Sequence, residues 1–191
     1  MVNQNFDSHS SIAALKQQWR VRLKKIRQEL PVDRQAHAST QACQQLSKMC
    51  QKARFILSFA SFGSEINLWP LNQELAAEER LVLPFMVGEK TLQLFQVTHL
   101  SQLEIHPWGM LEPKISDCPS IDLSLIEIAL IPGLGFDPQT KYRLGYGQGY
   151  YDRLLTSASF TQTWGIGFLE QAVERLPYSK DDIPLHQLYL F

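Results

Sequence analysis

The residues with the clearest chemical potential lie in a glycine-rich segment, 143–152, which reads R-L-G-Y-G-Q-G-Y-Y-D. An apolar stretch at 126–131 precedes it and predicts a strand, and a helical pattern begins near Tyr150. Glycines in a loop before a helix let backbone N–H groups approach an anion, and the helix N-terminus adds partial positive charge. Arg143 enters the segment and Asp152 leaves it, which places a guanidinium beside a carboxylate able to bind a metal ion. The pattern favours a polyphosphate site that includes magnesium.

The spacing of these glycines does not identify a particular ligand. It is not the Gly-x-Gly-x-x-Gly fingerprint of dinucleotide-binding folds, and no Gly-Lys-Ser/Thr follows as in a Walker loop. Glycines after a strand are also common in turns that bind nothing. From the residues alone, the segment is an anion-binding turn of unspecified type or an ordinary turn.

Four basic residues share one face of the first predicted helix. Lys16, Arg20, Lys24 and Arg27 stand four, four and three positions apart. Such a face is either a solvated surface or a pair of cations able to hold phosphates.

Several motifs along the chain match one enzyme family. The glycine-rich segment, preceded by I-P-G-L-G-F-D at 131–137, resembles the signature of the 5-formyltetrahydrofolate cyclo-ligase family. The similarity extends to six further elements in the same order as in that family: Lys16 with Arg20, Glu65, Leu83-Pro84, the G-M-L-E-P of 109–113, Gln171 with Leu176-Pro177, and Asp182. The chain is therefore identified as a member of this family.

Membership implies an enzyme that uses ATP and Mg²⁺ to convert 5-formyltetrahydrofolate to 5,10-methenyltetrahydrofolate, with ADP and phosphate released through a phosphorylated formyl oxygen. The implied catalytic residues are Arg143, Lys16 and Arg20, and the implied magnesium ligands are Asp152 and Asp182. The implied ATP-binding residues are Lys16, Arg20, Arg143, Leu144, Gly145, Tyr146, Gly147, Gln148, Gly149, Tyr150 and Tyr151. The implied folate-binding residues are Ala60, Glu65, Trp108, Tyr146, Gly147, Gln148, Gly149 and Tyr150, with Tyr151 a further aromatic wall. Lys24 and Arg27 are expected to remain surface charges.

Some positions depart from the family pattern. Gln148 stands where many relatives have Lys or Gly, and the turn at 138–142 lacks the usual glycine. The stretch Ser179-Lys180-Asp181 replaces a Glu-x-His-like sequence before Asp182. The alternative function is therefore a non-catalytic or regulatory paralogue that binds folate or nucleotide on the same fold.

Composition narrows the class of protein. The 191 residues suit one domain, 1–191, and the polar residues 1–10 are expected to form a flexible terminus. A net charge of −1 disfavours nucleic acid as a partner, and no apolar run approaches the length of a membrane span. Three cysteines without zinc-type spacing indicate free thiols, and the five histidines form no metal or triad pattern. We expect a cytoplasmic monomer whose partners are a small-molecule folate and ATP.

The elements that must position these residues alternate between helix and strand. The pattern predicts helices over 12–30 (capped by Ser10 or Ser11), from an Asp33 cap to about Cys50, over 67–79 and over 150–157. It predicts strands over 54–60, 81–87, 91–98, 125–131, 163–168 and 188–191, with a long loop over 101–122. This alternation predicts an α/β three-layer sandwich with a mainly parallel sheet and helices on both faces. Ligands of such sheets bind at the carboxyl ends of the strands, where Glu65 and the glycine-rich segment both fall.

Overall fold

The computed structural model describes residues 9–88, 91–157 and 162–191. Its helices are α1 (His9–Gln28), α2 (Val32–Met49), α3 (Trp69–Ala77) and α4 (Tyr150–Ser157). Its strands are β1 (Ile56–Leu57), β2 (Leu81–Val87), β3 (Thr91–Gln96), β4 (Leu103–Ile105), β5 (Leu111–Pro113), β6 (Ile128–Pro132), β7 (Gly135–Phe136), β8 (Arg143–Leu144), β9 (Gln162–Gly167) and β10 (Gln187–Leu190).

Six strands form the central sheet in the order β10-β9-β6-β1-β2-β3. Every neighbouring pair in it is parallel except β2 and β3, which are antiparallel. The predicted mainly parallel sheet is therefore confirmed. Parallel strands are covered on both faces, which explains why β1, β2 and β6 are apolar at consecutive positions.

Successive residues of these strands face two separate cores. In β6, Ile128 and Leu130 join the core beneath α2 and α3, whereas Ala129 and Ile131 join the core beneath α4. The period of two along a strand produces this division. The predicted helices on both faces are confirmed.

The first helix packs outside these two cores. Leu23 of α1 belongs to a third cluster with Leu134, which precedes β7, and Leu144 of β8. Gly135 makes this approach possible, because a Cβ atom there would lie 2.5 Å from Leu23 Cδ1. The helix is thereby fixed beside the loop that follows β6, with its basic face toward the glycine-rich segment.

Several predicted boundaries shift in the structure. Ser10 and Ser11 lie inside α1 rather than capping it, and Asp33 lies in the first turn of α2, whose N-cap is Pro31. The strand predicted over 54–60 is paired only at Ile56–Leu57. Residues 1–8 of the predicted flexible terminus and Glu89 of the predicted turn lie outside the described residues.

The predicted long loop over 101–122 is wrong in part. Leu103–Ile105 and Leu111–Pro113 pair as the antiparallel hairpin β4–β5, between two short 3-10 turns at Leu100–Gln102 and Leu123–Leu125. Three-residue strands with a proline are too short for a period-two signal to stand out in the sequence. The hairpin forms one wall of the cavity described next.

Candidate functional site

A cavity of about 580 Å³ lies at the carboxyl ends of β1 and β6. The residues that the sequence nominated as a site all line it: Lys16, Arg20, Ala60, Glu65, Trp108, Arg143, Leu144, Gly145, Tyr146, Gly147, Gln148, Gly149, Tyr150, Tyr151, Asp152 and Asp182. A larger groove between α2 and α3 shares only Glu65 with this set. The structure thus brings together residues from five separate parts of the chain.

The glycine-rich segment curves across the cavity before α4. Gly147 and Gly149 have φ values of +105° and +68°, which residues other than glycine rarely adopt. A Cβ atom on Gly147 would lie 3.2 Å from Arg20 Cζ, so the missing side chain also gives the guanidinium its place. Arg20 Nε donates to the Gly145 carbonyl at 3.0 Å and ties α1 to the segment.

Arg143 is buried beneath this segment and pairs with the first turn of α4. Its Nη2 lies 2.9 Å from Asp152 Oδ1, and its guanidinium stands over the Tyr151 ring. Arg143 Nε is buried without a hydrogen-bond partner among the described residues. Because this atom is sealed from solvent, its unpaired N–H costs free energy in the folded state.

Lys16 and Arg20 meet the carboxylates from the other side of the cavity. Lys16 Nζ forms an ion pair with Asp182 Oδ2, which also accepts a hydrogen bond from Ser179 Oγ at 3.0 Å. Burial lowers the pKa of Arg20, while the charges of Asp182 and Asp152 act in the opposite direction. Three cations and two carboxylates therefore form one charged cluster.

The two predicted metal ligands share this cluster. Asp152 and Asp182 line the same cavity, and their side chains keep 26% and 15% of their surface exposed. The described part of the chain holds no group of three or more His, Cys, Asp or Glu residues arranged for a metal ion. Two carboxylates fit Mg²⁺, which takes one or two of them and completes its shell with water and phosphate oxygens.

Glu65 lies in a second cluster of the same cavity. Its Oε1 accepts a hydrogen bond from the Tyr146 hydroxyl at 2.8 Å, and its Oε2 accepts from the Phe62 N–H at 3.1 Å. Arg27 Nη1 lies 3.9 Å from Glu65 Oε1. Burial raises the pKa of Glu65, and Arg27 and the two hydrogen bonds offset part of that rise.

The expectation that Arg27 is a surface charge is wrong. Arg27 is only 3% exposed and donates to Ser64 Oγ, the Gly133 carbonyl and the Tyr146 hydroxyl. It lies one turn past Lys24, which is exposed as predicted and lines the cavity. Leu23 packs on the β7–β8 hairpin, so this part of α1 lies close to the hairpin. Arg27, one turn further along the helix, is therefore buried rather than exposed.

Aromatic side chains complete the walls of the cavity. Trp108, Tyr146, Tyr150 and Tyr151 all line it, as the sequence suggested. Sequence reasoning missed Phe62, which touches the position of a Gly109 Cβ at 3.2 Å, and Glu112, a buried carboxylate of β5. The G-M-L-E-P element was the signal for Glu112, but nothing in it indicated that the carboxylate faces a cavity.

Comparisons with known proteins agree on one family. The model of the 5-formyltetrahydrofolate cyclo-ligase family matches residues 12–190. The chain is 33% identical over 144 residues to the 5-formyltetrahydrofolate cyclo-ligase of Escherichia coli (strain K12), covering 70% of this chain and 75% of that protein. It is 29% identical over 181 residues to the enzyme of the same name from Haemophilus influenzae, covering 91% of this chain and 96% of the relative.

Solved structures resemble the fold closely. The NMR structure of Aquifex aeolicus 5,10-methenyltetrahydrofolate synthetase has a TM-score of 0.80 and 28% identity, covering 91% of this chain and 88% of that one. The 5,10-methenyltetrahydrofolate synthetase from Mycoplasma pneumoniae has a TM-score of 0.73 at 20% identity, covering 91% and 96%. At that identity, the second likeness concerns the fold alone.

Proposed function

The chain belongs to the 5-formyltetrahydrofolate cyclo-ligase family and is an enzyme, and from this premise we propose that it cyclises 5-formyltetrahydrofolate to 5,10-methenyltetrahydrofolate with ATP and Mg²⁺, releasing ADP and phosphate. One observation carries the proposal: the charged cluster around Arg143 and the Glu65 cluster open into the same cavity. A polyphosphate and an N–H-rich ring system therefore have complementary walls within reach of each other.

The charged cluster suits the triphosphate of ATP. Two elements supply its cations: α1 carries Lys16 and Arg20, and β8 carries Arg143. The packing of Leu23 fixes α1 in position, and the pairing of β7 with β8 fixes Arg143. Phosphoryl transfer needs positioned positive charge more than proton transfer, and these three cations supply it. Positive-φ glycines such as Gly147 and Gly149 are typical of loops that turn backbone N–H groups toward a bound anion.

Asp152 and Asp182 are the residues that would hold magnesium. When bound, the ion supplies charge neutralisation for phosphate oxygens beyond that of the three cations. Asp152 forms an ion pair with Arg143, and Asp182 forms one with Lys16. The metal ion and these two cations would therefore share the same carboxylate oxygens.

The Glu65 cluster suits the reduced pterin ring. Glu65 is an acceptor inside a largely covered wall, and Tyr146 and Trp108 offer flat apolar surfaces beside it. Carboxylates that accept N–H bonds away from water discriminate strongly between ligands.

The reaction divides into two displacements. The formyl oxygen attacks the γ-phosphorus of ATP and ADP leaves, which turns a poor leaving group into a phosphate. N10 then attacks the formyl carbon, the bond from that carbon to the phosphate oxygen breaks, and N10 loses its proton as the five-membered ring closes. The protein contributes orientation and charge stabilisation, which is consistent with a site built from cations, glycines and aromatics.

The test is a coupled assay with purified protein, 5-formyltetrahydrofolate, ATP and Mg²⁺. We expect methenyl absorbance and ADP to appear one for one, and both to vanish when magnesium is removed with a chelator. Binding of folate or ATP without any product would refute the enzyme reaction and favour the regulatory paralogue.

Two further properties belong to the proposal. The cysteines Cys43, Cys50 and Cys118 are all free, which supports the predicted reducing, cytoplasmic setting. None of the helices in the described part of the chain is long and apolar enough to cross a membrane. A monomer is expected, and light scattering coupled to gel filtration tests it.

A further inference from the structure

Glu112 is a buried carboxylate for which the reaction above has no use. It belongs to β5, is only 5% exposed and lines the cavity beside Met86, Met110 and Leu111. Burial raises the pKa of Glu112, with Glu104 acting in the same direction and the Met86 N–H and His106 opposing it. A carboxylate in apolar surroundings is costly unless its oxygens are hydrogen-bonded.

Among the residues that the structure describes, only one oxygen of Glu112 has a hydrogen-bond partner. Oε1 accepts the Met86 N–H at 3.2 Å, whereas Oε2 receives no hydrogen bond or ion pair from the residues that the structure describes. In the described part of the chain, the side-chain atoms that are sealed from solvent and have no hydrogen-bond partner are Thr140 Oγ1 and Arg143 Nε. Glu112 Oε2 is unpaired and is not one of these sealed atoms, so it keeps some accessible surface, and the residue lines the cavity.

The fold explains the paired oxygen but not the free one. β2 pairs with β3 on one edge, but on its other edge β1 pairs only with Leu81 and Val82. On that second edge, the residues of β2 after Val82 lack a strand partner. Pro84 has no N–H, and the N–H of Met86 is met by Glu112. A glutamine would complete this edge equally well, because its amide oxygen is also an acceptor. The second oxygen remains without a hydrogen-bond partner among the described residues.

We propose that Glu112 is a second folate-binding carboxylate, whose free oxygen accepts a hydrogen bond from an N–H of the folate ring system or of its bridge to the benzoate. The inference rests on the proposed function and adds a subsite to it. Folate carries N–H donors on its ring system and on its bridge, and both Glu65 oxygens already accept one hydrogen bond each, which leaves Glu65 less capacity for further donors. Glu112 lies on the β4–β5 hairpin, whereas Glu65 lies on the loop after β1. It is a binding residue for the substrate and has no part in phosphate contacts.

The test compares Glu112→Gln with Glu104→Gln in direct folate binding. Glu104 faces Glu112 across the β4–β5 hairpin but is exposed, which makes it the matched control. Glu112→Gln keeps an acceptor for Met86 and presents an N–H donor where the free oxygen was. We expect the Kd for 5-formyltetrahydrofolate to rise by about tenfold or more, with the Kd for ATP unchanged. Glu104→Gln is expected to leave both constants unchanged, and wild-type folate affinity in Glu112→Gln would overturn the proposal.

A second ligand separates the two sources of the N–H. The folate analogue methylated at N10 lacks the bridge donor, so a bridge contact predicts that Glu112→Gln no longer weakens its binding. A ring contact predicts the same loss of affinity for both ligands. Both results support a Glu112 contact, and the absence of any loss for either ligand contradicts it.

Folding and turnover are measured separately. We expect the Tm of Glu112→Gln within about 2 °C of the wild type, because the Met86 bond is kept. If it unfolds earlier, the binding measurements are repeated at a temperature where the variant is fully folded, and wild-type folate affinity under those conditions overturns the proposal. Because the readout is binding, a wild-type protein that binds folate without turnover would refute the proposed reaction and leave the Glu112 test intact.

Discussion

Arg27 and Glu65 are 38 residues apart, on the first helix and on the loop after β1, yet the guanidinium lies 3.9 Å from the carboxylate and both contact the Tyr146 hydroxyl. Arg27 is nearly fully buried, and burial raises the pKa of its partner. The residue expected to bind folate is therefore held by a buried cation that has no direct role with phosphate.

Replacing Arg27 by methionine should both destabilise the protein and weaken folate binding. The change leaves Glu65 buried without its cation and should cost about 3 kcal/mol in the free energy of unfolding, measured with urea. Lys25→Met is the matched control on the same helix, because the Lys25 side chain is 71% exposed and pairs with Glu29 only at 3.7 Å. It should cost no more than about 0.5 kcal/mol. Equal costs for the two variants would show that the Arg27–Glu65 contact is not a stabilising one.

Glu65→Gln should change how stability depends on pH. The pKa of Glu65 is raised in the folded state above its ordinary value of 4.5, so folding favours the protonated carboxyl. The stability contributed by this group is present below that value and is lost as the pH rises through the folded pKa. Since glutamine does not titrate, the Tm of Glu65→Gln minus that of the wild type should increase from about pH 4 to about pH 8. A constant difference, or one that falls with pH, would mean that the Glu65 pKa is not raised.

The sheet and the glycine-rich segment were predictable because local sequence specifies them. Consecutive apolar residues at 128–131 are typical of a strand covered on both faces, and three alternating glycines are typical of a loop that needs positive φ. The lack of a glycine at 138–142 was misleading in one respect: Lys141 adopts a φ of +64° there, held by Asp137, whose Oδ1 accepts two N–H groups of the same turn. A short polar side chain can support a turn that sequence reading assigns to glycine.

The depth of a side chain was not predictable from spacing. Lys24 and Arg27 share a face of α1, but the contact of Leu23 with the β7–β8 hairpin decides which of them is buried. The burial of Glu112 was unpredictable for a similar reason, since part of its environment comes from β2, which is distant from Glu112 in sequence. Tertiary packing sets both environments, and no local pattern encodes them.

Lys16→Ala should lower ATP use without unfolding the protein. Lys16 pairs with Asp182 at the cavity, and loss of one charge-assisted contact of about 1.5–3 kcal/mol should reduce kcat/KM for ATP roughly ten- to 150-fold. The Kd for 5-formyltetrahydrofolate should stay within about twofold, since Lys16 belongs to the charged cluster and not to the Glu65 cluster. Lys25→Ala controls for loss of a charge on α1, and it should have wild-type kinetics. A matching fall in both variants would trace the effect to the charge of the helix rather than to the Lys16 position.

Gly147→Ala should separate backbone strain from the placement of Arg20. Gly147 and Gly88 both have positive φ, +105° and +54°, so alanine should cost about 1 kcal/mol in unfolding free energy at Gly88, and more at Gly147, whose φ lies outside the left-handed helical region. An added Cβ at Gly88 meets nothing within 4 Å, whereas at Gly147 it lies 3.2 Å from Arg20 Cζ and must displace the guanidinium. Gly147→Ala should therefore raise the KM for ATP, while Gly88→Ala should not. Both variants place alanine at a positive φ, so a raised KM in Gly147→Ala alone excludes general destabilisation and assigns the effect to the Gly147 position, where Arg20 is displaced. Steady-state kinetics at saturating folate measure it, and an unchanged KM in Gly147→Ala would mean that ATP does not depend on where Arg20 lies.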